Sequence, residues 1–251
     1  MSVSLEIDGR EVTVADGGTI YEAAHAAGIV IPTLCHEPTL SPVGVCRMCV
    51  VEVEGSRVMA ASCVRLAEPG MVVRTATPKI ERCRSMLTEL LMAEQPDESP
   101  KEKATRDDEL FALARRYGVR EKLPRGNARP QDDSSKVITV DHQACILCDR
   151  CIRACDDVQH NDVVGRTGKG YAARISFDLD EGMGESSCVS CGECVAACPT
   201  GALTNKPITA PIRARDELES VDTLCPYCGV GCALTYHVDR TTNRVVFAEG
   251  R

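Results

Sequence analysis

The stretches Cys145–Cys155, CILCDRCIRAC, and Cys188–Pro199, CVSCGECVAACP, decide how the centre of this chain folds. Each reads C-x2-C-x2-C-x3-C, and the second ends in Cys-Pro. Three thiolates two residues apart can each take one corner of a cubane. The fourth lies a helical turn further on and points away, so it ligates the other cluster. The spacing therefore predicts one [4Fe–4S] set of Cys145, Cys148, Cys151 and Cys198. A second set is Cys155, Cys188, Cys191 and Cys194.

This is the spacing of bacterial two-cluster ferredoxins, and the exchange of fourth ligands brings two clusters close enough for one-electron hopping. A zinc ribbon is the competing reading. It needs two C-x2-C pairs about 15–20 residues apart. Here the runs are further apart, each carries four cysteines, and the Cys-Pro ending has no role in zinc binding.

Working outward, sixteen of the 251 residues are cysteine, and fifteen of them fall into tight groups. There is no Trp, and aromatic residues make up 3% of the chain. Small domains this poor in large apolar side chains need staples, either disulfides or metal centres. The opening MSVSLEIDGREV has no basic start and no apolar h-region, so it reads as a strand and not as a secretory signal. No apolar run reaches membrane-spanning length. A reducing cytoplasm is the expected location, where grouped cysteines are metal ligands more often than disulfides. The formal charge of −8 argues against a nucleic-acid surface. The basic run Arg115–Arg129 is interleaved with acids and reads as a solvated face.

The amino-terminal group is Cys35, Cys46, Cys49 and Cys63, spaced C-x10-C-x2-C-x13-C. Around it the pattern predicts strands over 3–8 and 10–14 joined at Asp8-Gly9, and a helix capped near Gly17-Gly18-Thr19 and ended by Gly28. Strands are also predicted over 50–53, 57–61 and 72–75. Four cysteines in such an α+β unit, residues 1–78, predict a [2Fe–2S] centre in a β-grasp ferredoxin-type domain. The first gap is longer than in plant ferredoxins. Gly44 is expected to let the main chain approach the sulfurs. A Rieske centre needs two histidines, so His36 alone reads as a bystander.

Residues 79–135 read as a helical and charged linker. Ile80, Cys83, Leu87, Leu90 and Leu91 form a stripe at helical spacing, which makes Cys83 a packing residue. Residues 94–109, with Pro96 and Pro100, read as a solvated or mobile connection. Leu110–Tyr117 adds a helix, and 118–135 is linker. Residues 136–206 form the two-[4Fe–4S] region, with strands near 137–140 and 173–177. GRTGKG at 165–170 fails the phosphate-loop pattern and reads as a turn. Residues 207–251 start a new unit: a Pro-containing connection, TLCPYCGVGC at 223–232, then strands near 233–238 and 244–248. Cys225, Cys228 and Cys232 supply three ligands of a further [4Fe–4S] centre.

Taken together, Cys35–Cys63, VDHQACILCDRCIRACDDVQHNDVVG, MGESSCVSCGECVAACPTGAL and TLCPYCGVGCALTYHVD resemble the amino-terminal half of the catalytic subunit of NAD-linked, molybdopterin-dependent formate dehydrogenases. The large iron–sulfur subunit of respiratory complex I and the small diaphorase subunit of NAD-reducing hydrogenases share the first parts. The resemblance covers nearly the whole chain apart from about residues 94–135. It implies that residues 207–251 open a molybdopterin oxidoreductase [4Fe–4S] domain whose fourth cysteine and pterin lie beyond Arg251. Many relatives hold an extra cluster with one histidine and three cysteines between the first two domains. The matching stretch here has neither residue type, so that cluster is expected to be absent.

The implied function is an electron-transfer arm between a pterin site, bearing molybdenum or tungsten, and a flavin/NAD-binding diaphorase subunit. No substrate site and no dinucleotide fingerprint are expected within these residues. The alternatives are a diaphorase-type subunit of an NAD(P)-linked hydrogenase, a stand-alone multi-cluster ferredoxin, or a zinc-dependent binding module.

Overall fold

A computed structural model of the protein describes residues 2–119, 126, 128–206 and 213–250. The middle of the Arg115–Arg129 run and the Pro-containing connection at 207–212 lie outside the described residues.

The chain begins with β1 (Ser2–Ile7) and β2 (Arg10–Ala15), paired antiparallel with Ile7 opposite Arg10. Asp8 and Gly9 have φ of 50° and 78°, the paired positive values that a two-residue hairpin turn demands. On β1, Val3, Leu5 and Ile7 face inward and their neighbours face water. They meet Ile20, Ala23 and Ala24 of α1 (Ile20–Ala26). Thr19 closes a capping box with Glu22, an arrangement worth about 1 kcal/mol. Gly28, at φ 71°, takes the chain out of the helix.

β3 (Val50–Val53), β4 (Ala60–Ala61) and β5 (Val72–Arg74) complete a mixed sheet in the order β2-β1-β5-β3-β4, with β1 and β5 parallel. Burying Ile7, Ile20 and Val73 completely stabilises the unit by roughly 1.5–3 kcal/mol per side chain. β4 is shorter than the expected 57–61. The Ser56 hydroxyl donates to the Val58 carbonyl and accepts from its N–H, which draws these residues into a turn and away from the ladder.

Helix α2 (Pro78–Ala93) starts from a Thr77 cap. Its buried face is Ile80, Arg84, Thr88, Met92 and Ala93; of the stripe read from the apolar residues, Ile80 is buried and Leu87 and Leu91 pack at its edge. Leu90 is 57% exposed, and Cys83 is half-buried outside the core. The helix is turned by the demands of the neighbouring cysteine loop. Arg84 is 1% exposed and donates to the carbonyls of Met48 and Val50 at 3.1 and 2.9 Å.

The expected solvated connection over 94–109 is instead packed. It contains α3 (Pro100–Ala104) and leads into α4 (Glu109–Tyr117). Gln95, Ser99, Thr105 and Asp108 are buried. Gln95 Nε2 donates to the Ala144 carbonyl at 3.1 Å, and Asp108 accepts from Ser99 Oγ at 2.7 Å and from Gly201 N at 3.2 Å. The polar composition misled because Gln95 and Asp108 satisfy main-chain atoms of the following region and not water, while Ser99 and Thr105 bond within the segment.

That region contains β6 (Gln131–Asp132), β7 (Ile138–Asp141), α5 (Arg150–Arg153), β8 (Val164–Thr167), β9 (Arg174–Phe177), α6 (Glu193–Ala197) and β10 (Leu203–Asn205). β7 lies between β6 and β10, so the strand before the first cysteine run pairs with the strand after the second. β8 and β9 form a hairpin. Gly165, Arg166 and Thr167 belong to β8, so only the end of GRTGKG is the expected turn, with Gly168 at φ 74°.

The last sheet joins β11 (Glu219–Leu224), β12 (Ala233–Asp239) and β13 (Arg244–Gly250) in sequence order. Among the described residues no helix is long and apolar enough to cross a membrane.

Candidate iron–sulfur sites

The four cysteines of the amino-terminal region come together in the loop between α1 and β3 and at the turn after β4. Cys35 N lies 3.3 Å from Cys46 Sγ, Cys46 N lies 3.5 Å from Cys35 Sγ, and Cys49 Sγ lies 3.4 Å from Cys63 Sγ. Hydrogen bonds from Cys46 and then Cys63 hold the Cys35 thiol far below its usual range. Sharing with Cys35 pushes Cys46 up. Three of the four cysteines are buried and Cys46 is half-buried. Gly44 sits at φ 64°, and a Cβ there would stand 3.2 Å from Val64 Cγ2. The sequence reading of Gly44 thus has its counterpart in a tight loop that turns main-chain N–H groups toward sulfur. His36 has its ring edge-on to Tyr21, with centroids 4.4 Å apart, and burial lowers its pKa. It presents no second imidazole beside it.

In the central region the two runs adopt the same local shape. Leu147 and Asp149 in the first run, and Ser190 and Gly192 in the second, all have positive φ, between 53° and 85°. Leucine in this region is uncommon and costs of the order of 1 kcal/mol or more. The return is visible: Leu147 N lies 3.5 Å from Cys145 Sγ, and Ser190 N lies 3.4 Å from Cys188 Sγ. After α5 the helix widens into a π turn over Ala154–Val158, a departure that marks functional positions. It carries Cys155 away from its own run. After α6, Cys198 leaves the helix in an extended conformation.

The consequence is two cavities. One is lined by Cys145, Cys148, Cys151 and Cys198. The other is lined by Cys155, Cys188, Cys191 and Cys194. Each space draws its fourth cysteine from the opposite run. Among the described residues no three donors close on a point to hold a single metal ion; each set of four sulfurs instead lines a shared cleft. Burial pushes the Cys145 thiol up to about 11 and the Cys194 thiol up to about 12, and raises Cys148 and Cys151 in the same sense. Such thiols give up their protons only to a strong positive partner, which iron supplies. The all-thiol donor sets fit the clusters.

Helix α5 also reaches the amino-terminal site. Arg150 Nη2 donates to the His36 carbonyl at 2.8 Å, and both of its terminal nitrogens contact the Glu109 carboxylate at 2.6 and 2.9 Å. Lys101 Nζ donates to the Cys198 carbonyl at 2.8 Å. None of these three residues stood out in the sequence; a positive charge within a cysteine run was the available signal for Arg150.

The carboxy-terminal trio differs. Cys225, Cys228 and Cys232 occupy the loop between β11 and β12, closed by Cys225 N to Cys232 O at 2.8 Å. Cys228 and Cys232 are exposed, as are Leu224, Tyr227 and Val230.

Three protein-family models match along the chain. The family described as "2Fe-2S iron-sulfur cluster binding domain" matches residues 1–78. "NADH-quinone oxidoreductase subunit 3, ferredoxin-like domain" matches 135–204, and "Molybdopterin oxidoreductase Fe4S4 domain" matches 218–251. The crystal structure of an NAD+-reducing [NiFe]-hydrogenase in the H2-reduced state contains a chain of similar fold. The TM-score is 0.77 at 31% identity, over 86% of this chain and 93% of that one. The chain belongs to the iron–sulfur subunits of NAD(P)-linked oxidoreductases.

Within that family it is 38% identical to an NADH-quinone oxidoreductase subunit of Rhizobium meliloti, over 93% of this chain and 27% of the relative. It is 34% identical to the NADPH-Fe(3+) oxidoreductase subunit alpha of Geobacter sulfurreducens, over 96% of this chain and 29% of the relative. The chain thus spans less than a third of the length of these two curated relatives. It carries 2Fe-2S and 4Fe-4S cluster-binding domains.

Proposed function

We propose that the chain is the iron–sulfur electron-transfer arm of a formate-dehydrogenase-like, molybdenum- or tungsten-pterin enzyme linked to NAD. The carrying observation is the crossed lining of the two central cavities, Cys198 with the first run and Cys155 with the second. The proposed ligands are Cys35, Cys46, Cys49 and Cys63 for a [2Fe–2S] centre, and those two cavity sets for two [4Fe–4S] centres. Cys225, Cys228 and Cys232 are three ligands of a third [4Fe–4S] centre completed from outside these residues. When bound, the clusters supply one-electron chemistry at potentials tuned by their surroundings. The chain's own part is to space the sulfurs, to exclude water from them, and to donate N–H groups from Val45, Cys46, Leu147 and Ser190.

The proposed domains are 1–78, 79–135, 136–206 and 207–251, with the second lacking the cluster that one histidine and three cysteines would hold. Residues 94–117 contain neither His nor Cys, and Lys101 and Asp108 there satisfy the main chain at Cys198 and Gly201. The proposed partners are a flavin/NAD-binding subunit and a pterin-bearing domain or subunit, in the cytoplasm. A diaphorase role in an NAD(P)-linked hydrogenase is the second reading, favoured by the hydrogenase chain of similar fold.

Anaerobic purification of the intact complex tests these readings through metal, acid-labile sulfide and low-temperature EPR. The first reading expects molybdenum or tungsten, formate-dependent NAD reduction, one binuclear centre and at least two cubanes. Nickel in a co-purifying chain, with hydrogen-dependent NAD reduction, decides for the second. Iron-free protein refutes both.

A further inference from the structure

Arg153 sits on α5 between Cys151 and Cys155 and is 7% exposed. Its Nη2 donates to the Cys35 carbonyl at 2.5 Å and to the Cys148 carbonyl at 3.3 Å. Nη1 donates to the Ser41 carbonyl at 2.5 Å, and Nε to the Asp149 carbonyl at 3.2 Å. One side chain thus ties the main chain of a cysteine in the amino-terminal site to that of a cysteine lining the first central cavity.

All four acceptors are neutral carbonyls. Among the described residues no carboxylate pairs with Arg153, whereas Arg150, one turn away, has Glu109 at 2.6 Å and Glu37 at 3.7 Å. A buried guanidinium without a counter-charge is costly. Negative charge on both sides of it, which thiolate-ligated clusters carry, removes that cost.

We infer that Arg153 is a positioning residue for electron transfer between the amino-terminal centre and the first cubane, fixing their approach and raising both potentials. The inference rests on the ligand sets proposed above. A planar fork can hold two carbonyls from a single nitrogen and reach a third with the other, which an ammonium on a flexible stem does not reproduce. Adding an electron makes each neighbouring centre more negative, and the fixed cation stabilises that state. The reduced form gains more than the oxidised one, so both potentials rise.

The test uses the anaerobically purified holo complex and its Arg153→Met and Arg153→Lys variants. Potentials come from EPR-monitored redox titration. The transfer rate comes from freeze-quench EPR after photoreduction. Arg153→Met is expected to raise the oxidised-to-reduced ratio of both flanking centres about tenfold at fixed poise, equivalent to about 59 mV for one electron. It is expected to slow transfer between them about tenfold or more. The centre of Cys155, Cys188, Cys191 and Cys194 keeps its potential, which separates this effect from general loosening. Arg153→Lys retains the charge and therefore the potentials, but transfer stays slower than in the native complex.

Native potentials and rate in Arg153→Met with full iron overturn the inference. If that variant does not fold, a native rate in Arg153→Lys overturns it alone. Absence of the two EPR signals from the native complex refutes the proposed ligand sets instead.

Discussion

The central region and the carboxy-terminal hairpin both carry cysteines two or three residues apart, but they surround their sulfurs very differently. Cys145, Cys148, Cys151, Cys155, Cys194 and Cys198 are buried, held between two helices, a three-stranded sheet and the packed segment 94–109. Cys228 and Cys232 stand in solvent on a loop, next to exposed Leu224, Tyr227 and Val230. Local spacing supplies the donors in both places. Enclosure comes from elements distant in sequence, and only the first region has them within these residues.

The sharpest way to break the contrast is to exchange single ligands. Cys198→Ser is expected to remove the cubane signal associated with Cys145, Cys148 and Cys151, with loss of about four irons per chain. Cys155→Ser should remove the other one. Iron and sulfide quantitation with EPR will show this; if each substitution abolishes the centre of its own run, the crossed arrangement is wrong. Cys228→Ser should leave both central signals untouched.

Next in size is the support beneath the amino-terminal loop. Arg84→Leu leaves the buried carbonyls of Met48 and Val50 without their donor and is expected to cost about 2–4 kcal/mol. Reversible denaturant unfolding reads the loss, and a cost under about 0.5 kcal/mol would mean that the loop relaxes freely.

Asp108 caps α4 by accepting from Leu110 N and Phe111 N and also receives Gly201 N. Asp108→Ala should therefore cost about 1–3 kcal/mol. Hydrogen exchange at Gly201 should speed up in that variant, because the segment 94–109 would no longer hold the turn after Cys198.

The smallest effect belongs to the exposed hairpin. Arg240 pairs with Glu219 across β11 and β12 at the surface, and exposed pairs contribute about 0–1 kcal/mol. Arg240→Ala should shift the unfolding midpoint barely at all. A large destabilisation there would show that the carboxy-terminal sheet is more integrated than its exposure indicates.

Much of this was legible in the residues. Alternation and the Asp8-Gly9 turn marked β1 and β2, Thr19 and Gly28 bracketed α1, and the spacing of the two cysteine runs matched the lining of the two cavities. What escaped notice has physical reasons. The buried face of α2 includes Arg84, whose donors serve carbonyls in another segment, so the apolar spacing caught Ile80, Leu87 and Leu91 but placed Leu90 and Cys83 inside with them. Segment 94–109 looked solvated because its polar groups read as water-seeking, yet Gln95 and Asp108 bond to main-chain atoms of residues 144 and 201, and Ser99 donates to Asp108. β11 carries charged and hydroxyl residues and little burial, so no alternation marked it.

The crossed lining of the two cavities by Cys155 and Cys198 also bears on the order of assembly. On the proposed ligand sets neither run can complete a site alone. The first central cluster has no full set of anchors until translation has reached Cys198, 47 residues beyond Cys151. Premature iron captured by the first run would be bound by three thiolates and open to oxygen. Delivery after synthesis, to a chain whose β7 and β10 have already met, avoids that hazard.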